Sequence, residues 1–584
     1  MSSTGQRGVS PGGRPPGPAD RRSAPSGGEP PRQEPEERLP GPGRFAPRSS
    51  AASWYGPALA AALVMAVLGV WGLERDSSMG NDEVATRWAA LLPLHQLAHL
   101  VGNVDAVHGL YYLLMHGWIA VGTSPAVLRI PSVLSMIVAA ALVAILGRRL
   151  TGSGWAALFA GLIMALTPAV TYYAQTARSY ALVYACVVGA TLLLLHALST
   201  DPGGRPPGPP RSPLRAERRQ AAAAGRHVRW WPWVSYAALM LLAGYLNEMA
   251  LLALLAHGVT VLLTRYGRRT FLHWLAAAAV AAVLVVPLAV VSSREDAAVA
   301  WIPRPGPGSL RILFHDYFGA TTAVAVPLFL CAVLALLPGR GQGPWPEQAA
   351  GPREATGAVP PWWRRSGVSV QSVAAPLLVV PGAALILQSL VAHPLYVDRY
   401  VLYGQAGGAL LAGAGAYRAG WWLAGRARQP GLAWTVGAVV CVLALVLQIG
   451  PQQRVRTPQS RLYDFGGPSR YLAAHAHQGD GVLFFSAFFR KARLGYPADF
   501  RQVSDFAMAI SPMQAGNFQG TDKPFAQVRP LMLARRRIWV VGRSPFAPLT
   551  GPGIRDEDAL LRTGFTLVAK RHFRHVWVTL WVRR

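Results

Sequence analysis

VHGLYYLLMHGWIAVG, Val107–Gly122, reads either as a membrane span or as a helix lying on the membrane surface, and the fold turns on the choice. The run is shorter than the roughly 20 residues a spanning helix needs, and it carries His108 and His116. Counting it as a span places Arg148–Arg149 and the Arg-rich loop 199–229 outside, against the excess of Lys and Arg that cytoplasmic loops keep. We therefore read it as a juxtamembrane helix in the outer interface. Arg148–Arg149, loop 199–229, Tyr266–Thr270, loop 339–365 and Arg418–Arg428 then all fall inside. The outer side receives 74–126, 172–178, 293–316, 393–399 and everything after Pro451.

On either side of that run the chain offers about eleven spans. The first is Gly56–Leu73, GPALAAALVMAVLGVWGL. The others are Val127–Leu146, Trp155–Ala169, Ser179–Leu198, Trp233–Tyr245, Met249–Thr264, Phe271–Val291, Val324–Pro338, Ser372–Ala392, Val401–Ala416 and Leu432–Gly450. The predicted fold is a polytopic α-helical membrane protein. Composition agrees: 52% of the 584 residues are apolar and 14% are charged, where soluble domains carry roughly a quarter charged. A net charge of +29 in a soluble protein suggests nucleic acid, but here the arginines crowd the loops between spans. That pattern orients a membrane protein and suits anionic lipid headgroups, and it argues against nucleic acid as a partner. Cys186, Cys331 and Cys441 lie inside apolar runs as small core residues, with no disulfide framework.

Residues 1–52 are rich in Pro, Gly, Ser and Arg, too poor in apolar surface to fold, and read as a disordered cytoplasmic tail. No small-residue cleavage site follows the first span, so that span stays as an anchor. Beyond Pro451 the texture changes. A helix-like RYLAAHA (Arg470–Ala476) precedes a turn at Gly479–Gly481 and the strand-like VLFFS (Val482–Ser486). RIWVVG (Arg537–Gly542), FTLVAKR (Phe565–Arg571) and HVWVTLWV (His575–Val582) follow, the last two as a hairpin. Residues 451–584 are thus expected to form a small extracytoplasmic α/β domain after a transmembrane domain over 53–450.

Acidic residues obey the reverse of the arginine bias, with Asp82, Glu83, Asp105, Glu295 and Asp398 on the predicted outer side. The strongest cluster is GNDEVATRWA, Gly80–Ala89, where adjacent Asp82 and Glu83 suit general-base work. A carboxylate near lipid loses hydration, which raises its pKa toward a useful range. The plainer reading is a solvated acid capping the next helix. In YYAQTARSYAL, Tyr172–Leu182, Arg178 with Tyr173 and Tyr180 offers a planar fork for a phosphate. HPLYVDRYVLYG, His393–Gly404, repeats the theme with Arg399 and Tyr400, and Asp398 stands close enough to orient the guanidinium. Interfacial aromatic belts with snorkelling arginines account for either stretch alone, though not readily for three clusters on one face. Glu248 lies between two spans, and a membrane-embedded acid is a functional candidate. His95 and His99 lie at i, i+4 with His108 following, but no HExxH pattern marks a metal site.

In order, NDEVAT (Asn81–Thr86), VHGLYYLL (Val107–Leu114), GTSPAVLRIPSVLS (Gly122–Ser135), LGRRL (Leu146–Leu150), TPAVTYYAQTARSYAL (Thr167–Leu182) and DRYVL (Asp398–Leu402) resemble the GT-C superfamily of membrane glycosyltransferases. The nearest branch is the protein O-mannosyltransferase and lipid A aminoarabinose transferase group, and the likeness covers roughly residues 55–420. The chain departs from the pattern at His108-Gly109-Leu110, where prolines are usual, and it has no MIR-like insertion. The resemblance implies a large first outer loop, 74–126, that carries the catalytic acid. It implies a polyprenyl-phosphate sugar as donor, with mannose favoured, and inversion at the anomeric carbon. The acceptor would be a cell-envelope glycan, glycolipid or protein. Asp82 matches the catalytic base and Glu83 its neighbour; Arg178 and Arg399 match basic positions near the donor phosphate, with Tyr180, Tyr400, His108 and Glu248 as further substrate contacts. No cofactor is required by this chemistry, though a divalent cation is compatible with it. The localisation it implies is the plasma membrane.

Two other classes compete. A lipid-linked sugar or solute transporter keeps its ionisable groups near the midplane, whereas these spans are almost free of charge and the polar groups gather at one boundary. A scaffold whose C-terminal domain binds glycan leaves the NDE and Arg–Tyr clusters without a task.

Overall fold

The computed structural model describes residues 51–74, 78–200, 230–295, 299–337, 367–543 and 552–584. The tail expected over 1–52 lies, but for its last two residues, outside the described residues, as do the Arg-rich segments 201–229 and 339–365.

A helix forms at every predicted span. The first eight are α1 (Ala51–Val70), α2 (Asn81–Leu91), α3 (Leu94–Asn103), α4 (Gly109–Trp118), α5 (Pro125–Thr151), α6 (Gly154–Leu166), α7 (Pro168–Ala174) and α8 (Tyr180–Thr200). Then come α9 (Trp231–Leu246), α10 (Leu252–Thr264), α11 (Arg268–Ser292), α12 (Pro307–Phe318), α13 (Thr322–Leu336), α14 (Val370–Val391), α15 (Gln405–Arg426) and α16 (Thr435–Arg454). Five helices are long and apolar enough to cross a membrane, or up to seven if each bent pair is one span. The bent pairs are α6–α7 at 64° and α12–α13 at 77°. Pro168 explains the first, since it has no N–H to donate and its ring clashes with the preceding turn. Gly319, at φ +127°, carries the second.

The decisive run at Val107–Gly122 is not among the helices long and apolar enough to cross a membrane. Its α-helical part is the ten residues of α4, about 15 Å long against a hydrocarbon core of about 30 Å. Tyr111, Tyr112 and Met115 are buried beneath it while Leu113 and Leu114 are exposed, as a surface-lying amphipathic helix requires.

Close packing among the spans rests on small residues, because lipid supplies no hydrophobic drive between helices. In α15, QAGGALLAGAGAYRAG, an added Cβ at Gly415 collides with the Cys331 carbonyl of α13, and one at Gly420 with the Ala433 carbonyl. α5 shows how local sequence sets an element. The Ser124 hydroxyl caps it by accepting from the Val127 N–H at 3.3 Å, Pro125 opens its first turn, and Gly152 closes it at φ +74°.

After α16, helix α17 (Gly466–His475) leads into a five-stranded sheet. Its strands are β1 (Asp480–Phe485), β2 (Val503–Asp505), β5 (Arg537–Gly542), β6 (Phe565–Phe573) and β7 (Val576–Arg583), in the order β2-β1-β5-β7-β6. A separate short pair joins β3 (Met508–Ile510) to β4 (Thr521–Asp522). β1 is parallel to both neighbours, and β6–β7 is the expected hairpin, with a register shift between Leu567 and Ala569. β1 and most of β5 are buried on both faces, which fits their continuous apolar runs.

This C-terminal region packs directly on α2. The Tyr496 hydroxyl accepts from the Met79 N–H at 2.6 Å, the Ser78 hydroxyl donates to Asp464 at 2.6 Å, and Arg87 donates to the Gly495 carbonyl at 3.2 Å.

Candidate active site

The site is built from the first turn of α2. Gly80 is its N-cap, so Asp82 and Glu83 occupy the second and third helical positions, about 100° apart around the axis. That angle sends the two carboxylates into different surroundings.

Glu83 points inward and is 2% exposed. Arg129 of α5 grips it with two bonds, Nε to Oε1 at 2.7 Å and a terminal nitrogen to Oε2 at 2.9 Å. The Gly80 and Ala177 amides each donate to it at 3.2 Å, and Arg461 lies 3.8 Å away. Burial alone would raise this carboxyl, but Arg129 and Arg461 override it and hold the pKa at about 2. Glu83, not Asp82, makes the capping contact at the start of α2.

Asp82 stays half-buried, and among the described residues Asn81 is its one hydrogen-bond donor, at 3.1 Å. Its surroundings are cationic. Burial raises the pKa, but Arg178, Arg399 and His108 together outweigh burial and the repulsion of Asp105, leaving it below the ordinary aspartate value. The expected upward shift near lipid is therefore overturned: two guanidiniums more than compensate the lost hydration.

Arg178 acts on Asp82 through its charge, and Thr86 pins the turn that carries it. The Thr86 hydroxyl bonds both the Asp82 carbonyl and the Ala177 carbonyl at 2.9 Å. The Arg178 guanidinium then donates to the Tyr112 hydroxyl at 2.6 Å and to Asp105 at 3.0 Å, and Tyr112 donates a short bond to Asp105. Its Nε is buried without a hydrogen-bond partner. Asp105 sits at φ +63°. There the Glu295 carboxylate accepts from the Asp105 and Ala106 amides, at 2.7 and 3.0 Å. Asp105 is held well below the usual carboxylate range, because Arg178 and His108 outweigh its burial.

Arg399 approaches from the segment before α15. Its Nε donates to the Tyr180 hydroxyl at 2.9 Å, and its guanidinium lies over the rings of Tyr400, Trp301 and Tyr180 at 5.5, 5.6 and 5.7 Å. Among the described residues no ion pair joins Asp398 to it, contrary to expectation; Asp398 accepts from the Tyr173 hydroxyl at 3.3 Å. His108 is 4% exposed, its ring 6.2 Å from those of Tyr112 and Tyr180, with the Ser179 hydroxyl 3.4 Å from Nδ1. Burial first, then Arg178, pushes it down to about 4, so the imidazole is neutral at ordinary pH.

Asp82, Arg178, Tyr180, Arg399, Tyr400 and His108 thus come together from four separate stretches of chain. Glu248 does not join them; it accepts from the Ser292 hydroxyl at 2.9 Å. His95 and His99 lie on α3, and among the described residues no group of three His, Cys, Asp or Glu side chains is arranged to hold a metal ion.

Sequence reasoning missed Asp105, Tyr112 and Arg129 as parts of the site, and Lys491 entirely. The Lys491 Nζ donates to the Asn81 Oδ1 at 2.8 Å. Arg129 had a signal, an arginine early in an apolar run, which is rarely left unpaired. Lys491 had none, because nothing local ties residue 491 to residue 81.

No family model and no curated protein matches the sequence. Solved structures do match in shape. The crystal structure of ArnT from Cupriavidus metallidurans bound to undecaprenyl phosphate gives a TM-score of 0.50 at 15% identity, over 91% of this chain and 98% of that one. The chain shares the fold of ArnT. The apo state of ArnT gives 0.50 at 14% identity with the same coverage. An Archaeoglobus fulgidus oligosaccharyltransferase tethered with an acceptor peptide gives 0.45 at 11%, over 84% of this chain and 69% of that one.

Proposed function

We propose that the protein is an inverting glycosyltransferase that moves a sugar, mannose favoured, from a polyprenyl-phosphate carrier to a cell-envelope acceptor at the outer membrane face. One observation carries the reading: a half-buried carboxylate, Asp82, lies in the field of two guanidiniums, buried Arg178 and half-buried Arg399, beside a bundle of apolar helices. The fold shared with ArnT, whose structure holds undecaprenyl phosphate, supports it.

In this reading the lipid tail lies among the helices and the sugar phosphate emerges beside Arg178 and Arg399. The acceptor O–H bond breaks as its oxygen bonds the anomeric carbon. The C–O bond to phosphate breaks on the opposite face, the electron pair leaves with the polyprenyl phosphate, and the proton passes to Asp82. Arg399 and Arg178 stabilise the charge that grows on the leaving group. Asp82, ionised before the proton reaches it, also balances the positive charge developing at the anomeric carbon. Neutral His108 adds no charge beside the phosphate. Glu83 has the different task of locking α2 to α5.

The test is transfer of label from a panel of polyprenyl-phosphate sugars, mannose first, by membranes containing the full chain. Product in glycan, glycolipid or protein supports the enzyme reading, and a panel with no product sinks it. The pH dependence follows from the site: Asp82 is held below its ordinary value of about 3.9, so the acid limb of the rate profile lies below about pH 4. A limb near pH 6 would point to a different base. Arg399→Leu is expected to raise the donor KM by about tenfold or more while leaving the acceptor KM alone, since a charge-assisted contact to phosphate is worth about 1.5–3 kcal/mol.

A further inference from the structure

Of the 56 basic residues in the chain only three are lysines, Lys491, Lys523 and Lys570. One of these three is buried against the site. Lys491 is 8% exposed and comes from the C-terminal region, in the short helical stretch between β1 and β2. Its ammonium donates to the Asn81 Oδ1 at 2.8 Å, and the Asn81 amide nitrogen donates to Asp82 at 3.1 Å. The lysine therefore fixes which way the Asn81 amide faces, and through it the Asp82 carboxylate. An ammonium has three N–H donors, and among the described residues Asn81 is the one acceptor of Lys491. The rings of Phe488 and Phe518 lie 4.9 and 5.2 Å from the Nζ, and Phe518 meets Trp88 edge-on at 5.5 Å.

Resting on the glycosyltransferase reading above, we propose that Lys491 is the acceptor-binding residue of the site, its unfilled N–H groups holding a hydroxyl-bearing carbohydrate against Asp82 over the Phe488, Phe518 and Trp88 rings. The donor phosphate already has Arg178 and Arg399 on the side of the apolar helices. Lys491 approaches Asp82 through Asn81, from the C-terminal region. Hydroxyl-lined sugars present both polar edges for an ammonium and C–H faces for aromatic rings. Lysine suits the place better than the arginine used elsewhere in this chain, since a compact ammonium divides its donors between Asn81 and a second oxygen. Burial pushes Lys491 down to about 8, against the pull of Asp105 and Asp82 and with a further push from Arg178.

The test compares wild type, Lys491→Met, Lys491→Arg and Asp82→Asn as full chains in membranes. The probes are radiolabelled undecaprenyl-phosphate sugars and an envelope glycan and glycolipid fraction titrated by mass. The expected result is an acceptor KM raised about tenfold or more in Lys491→Met, a donor KM within about twofold of wild type, and partial recovery in Lys491→Arg. Should Lys491→Met fold poorly, wild type alone gives the answer: its acceptor KM climbs as pH rises through about 8, where the ammonium loses its proton, while the donor KM stays flat. An unchanged acceptor KM in Lys491→Met, or a flat profile through pH 8, overturns the proposal while an inactive Asp82→Asn still supports the enzyme reading. No transfer by wild type with any donor removes both.

Discussion

Asp82→Asn is expected to lower sugar transfer by about 10²- to 10⁴-fold through kcat, with the donor KM near wild type and thermal stability unchanged. The size follows from the role. An amide is close to a carboxylate in shape, so the first turn of α2 and the Asn81 contact survive. It cannot take the acceptor proton, and it no longer balances charge at the anomeric carbon. Stability stays because Asp82 is half-buried and its hydrogen bond with Asn81 is local. Removing the negative charge ends both its repulsion by Asp105 and its attraction to Arg178 and Arg399, which offset one another in part, and Arg178 keeps Asp105 and Tyr112 as partners. Kinetics of the purified variant against a matched melting curve check both halves. A variant with wild-type kcat would move the base elsewhere in the site, with Asp105 next, although its contacts with Arg178 and Tyr112 leave it less able to meet an acceptor.

Much of this was legible in the sequence, and the reason is locality. Spans announce themselves through length and hydropathy, so each predicted run found a helix, and Val107–Gly122 holds an α-helix of ten residues, short for a span. The strands at Val482, Arg537, Phe565 and Val576 were visible for the same reason. The Asp82, Arg178 and Arg399 clusters each carried an ionisable group next to an apolar run, which singled them out as candidates, and the structure brings them together. What stayed hidden depended on distant pairing. Adjacent Asp82 and Glu83 look equivalent in a string of letters, and only the partnership of Glu83 with Arg129 and Arg461 divides them. The direction of the Asp82 shift was misread because desolvation is a local inference, while the guanidiniums that reverse it come from residues 178 and 399. Asp398 illustrates the same limit: sequence adjacency to Arg399 suggested a pair, but Asp398 bonds Tyr173 and Arg399 bonds Tyr180.

Glu83→Gln should do the opposite of Asp82→Asn, with the damage in stability. Breaking a buried ion pair by neutralising one partner costs about 3–5 kcal/mol, because the surviving charge is left uncompensated. Here Arg129 is anchored in α5 with nowhere to reach water, and Arg461 shares the same carboxylate from the C-terminal region. The loss is read as a lower melting temperature in detergent, or as depleted protein in the membrane. Wild type should show the linked pH behaviour. With the folded pKa at about 2 and the unfolded one near 4.3, the contribution of Glu83 is fully present above about pH 4.3 and disappears as pH falls toward 2. The double replacement Glu83→Met with Arg129→Met separates structure from chemistry. Removing both charges with apolar side chains of similar length is often neutral, so stability should largely return, Arg461 keeping its bonds to Thr176 and the Gln175 carbonyl. Transfer activity returning with it assigns Glu83 to positioning α2 alone. A stable but inactive double variant would instead give the reaction a second carboxylate, and Asp82 would no longer account for the proton by itself.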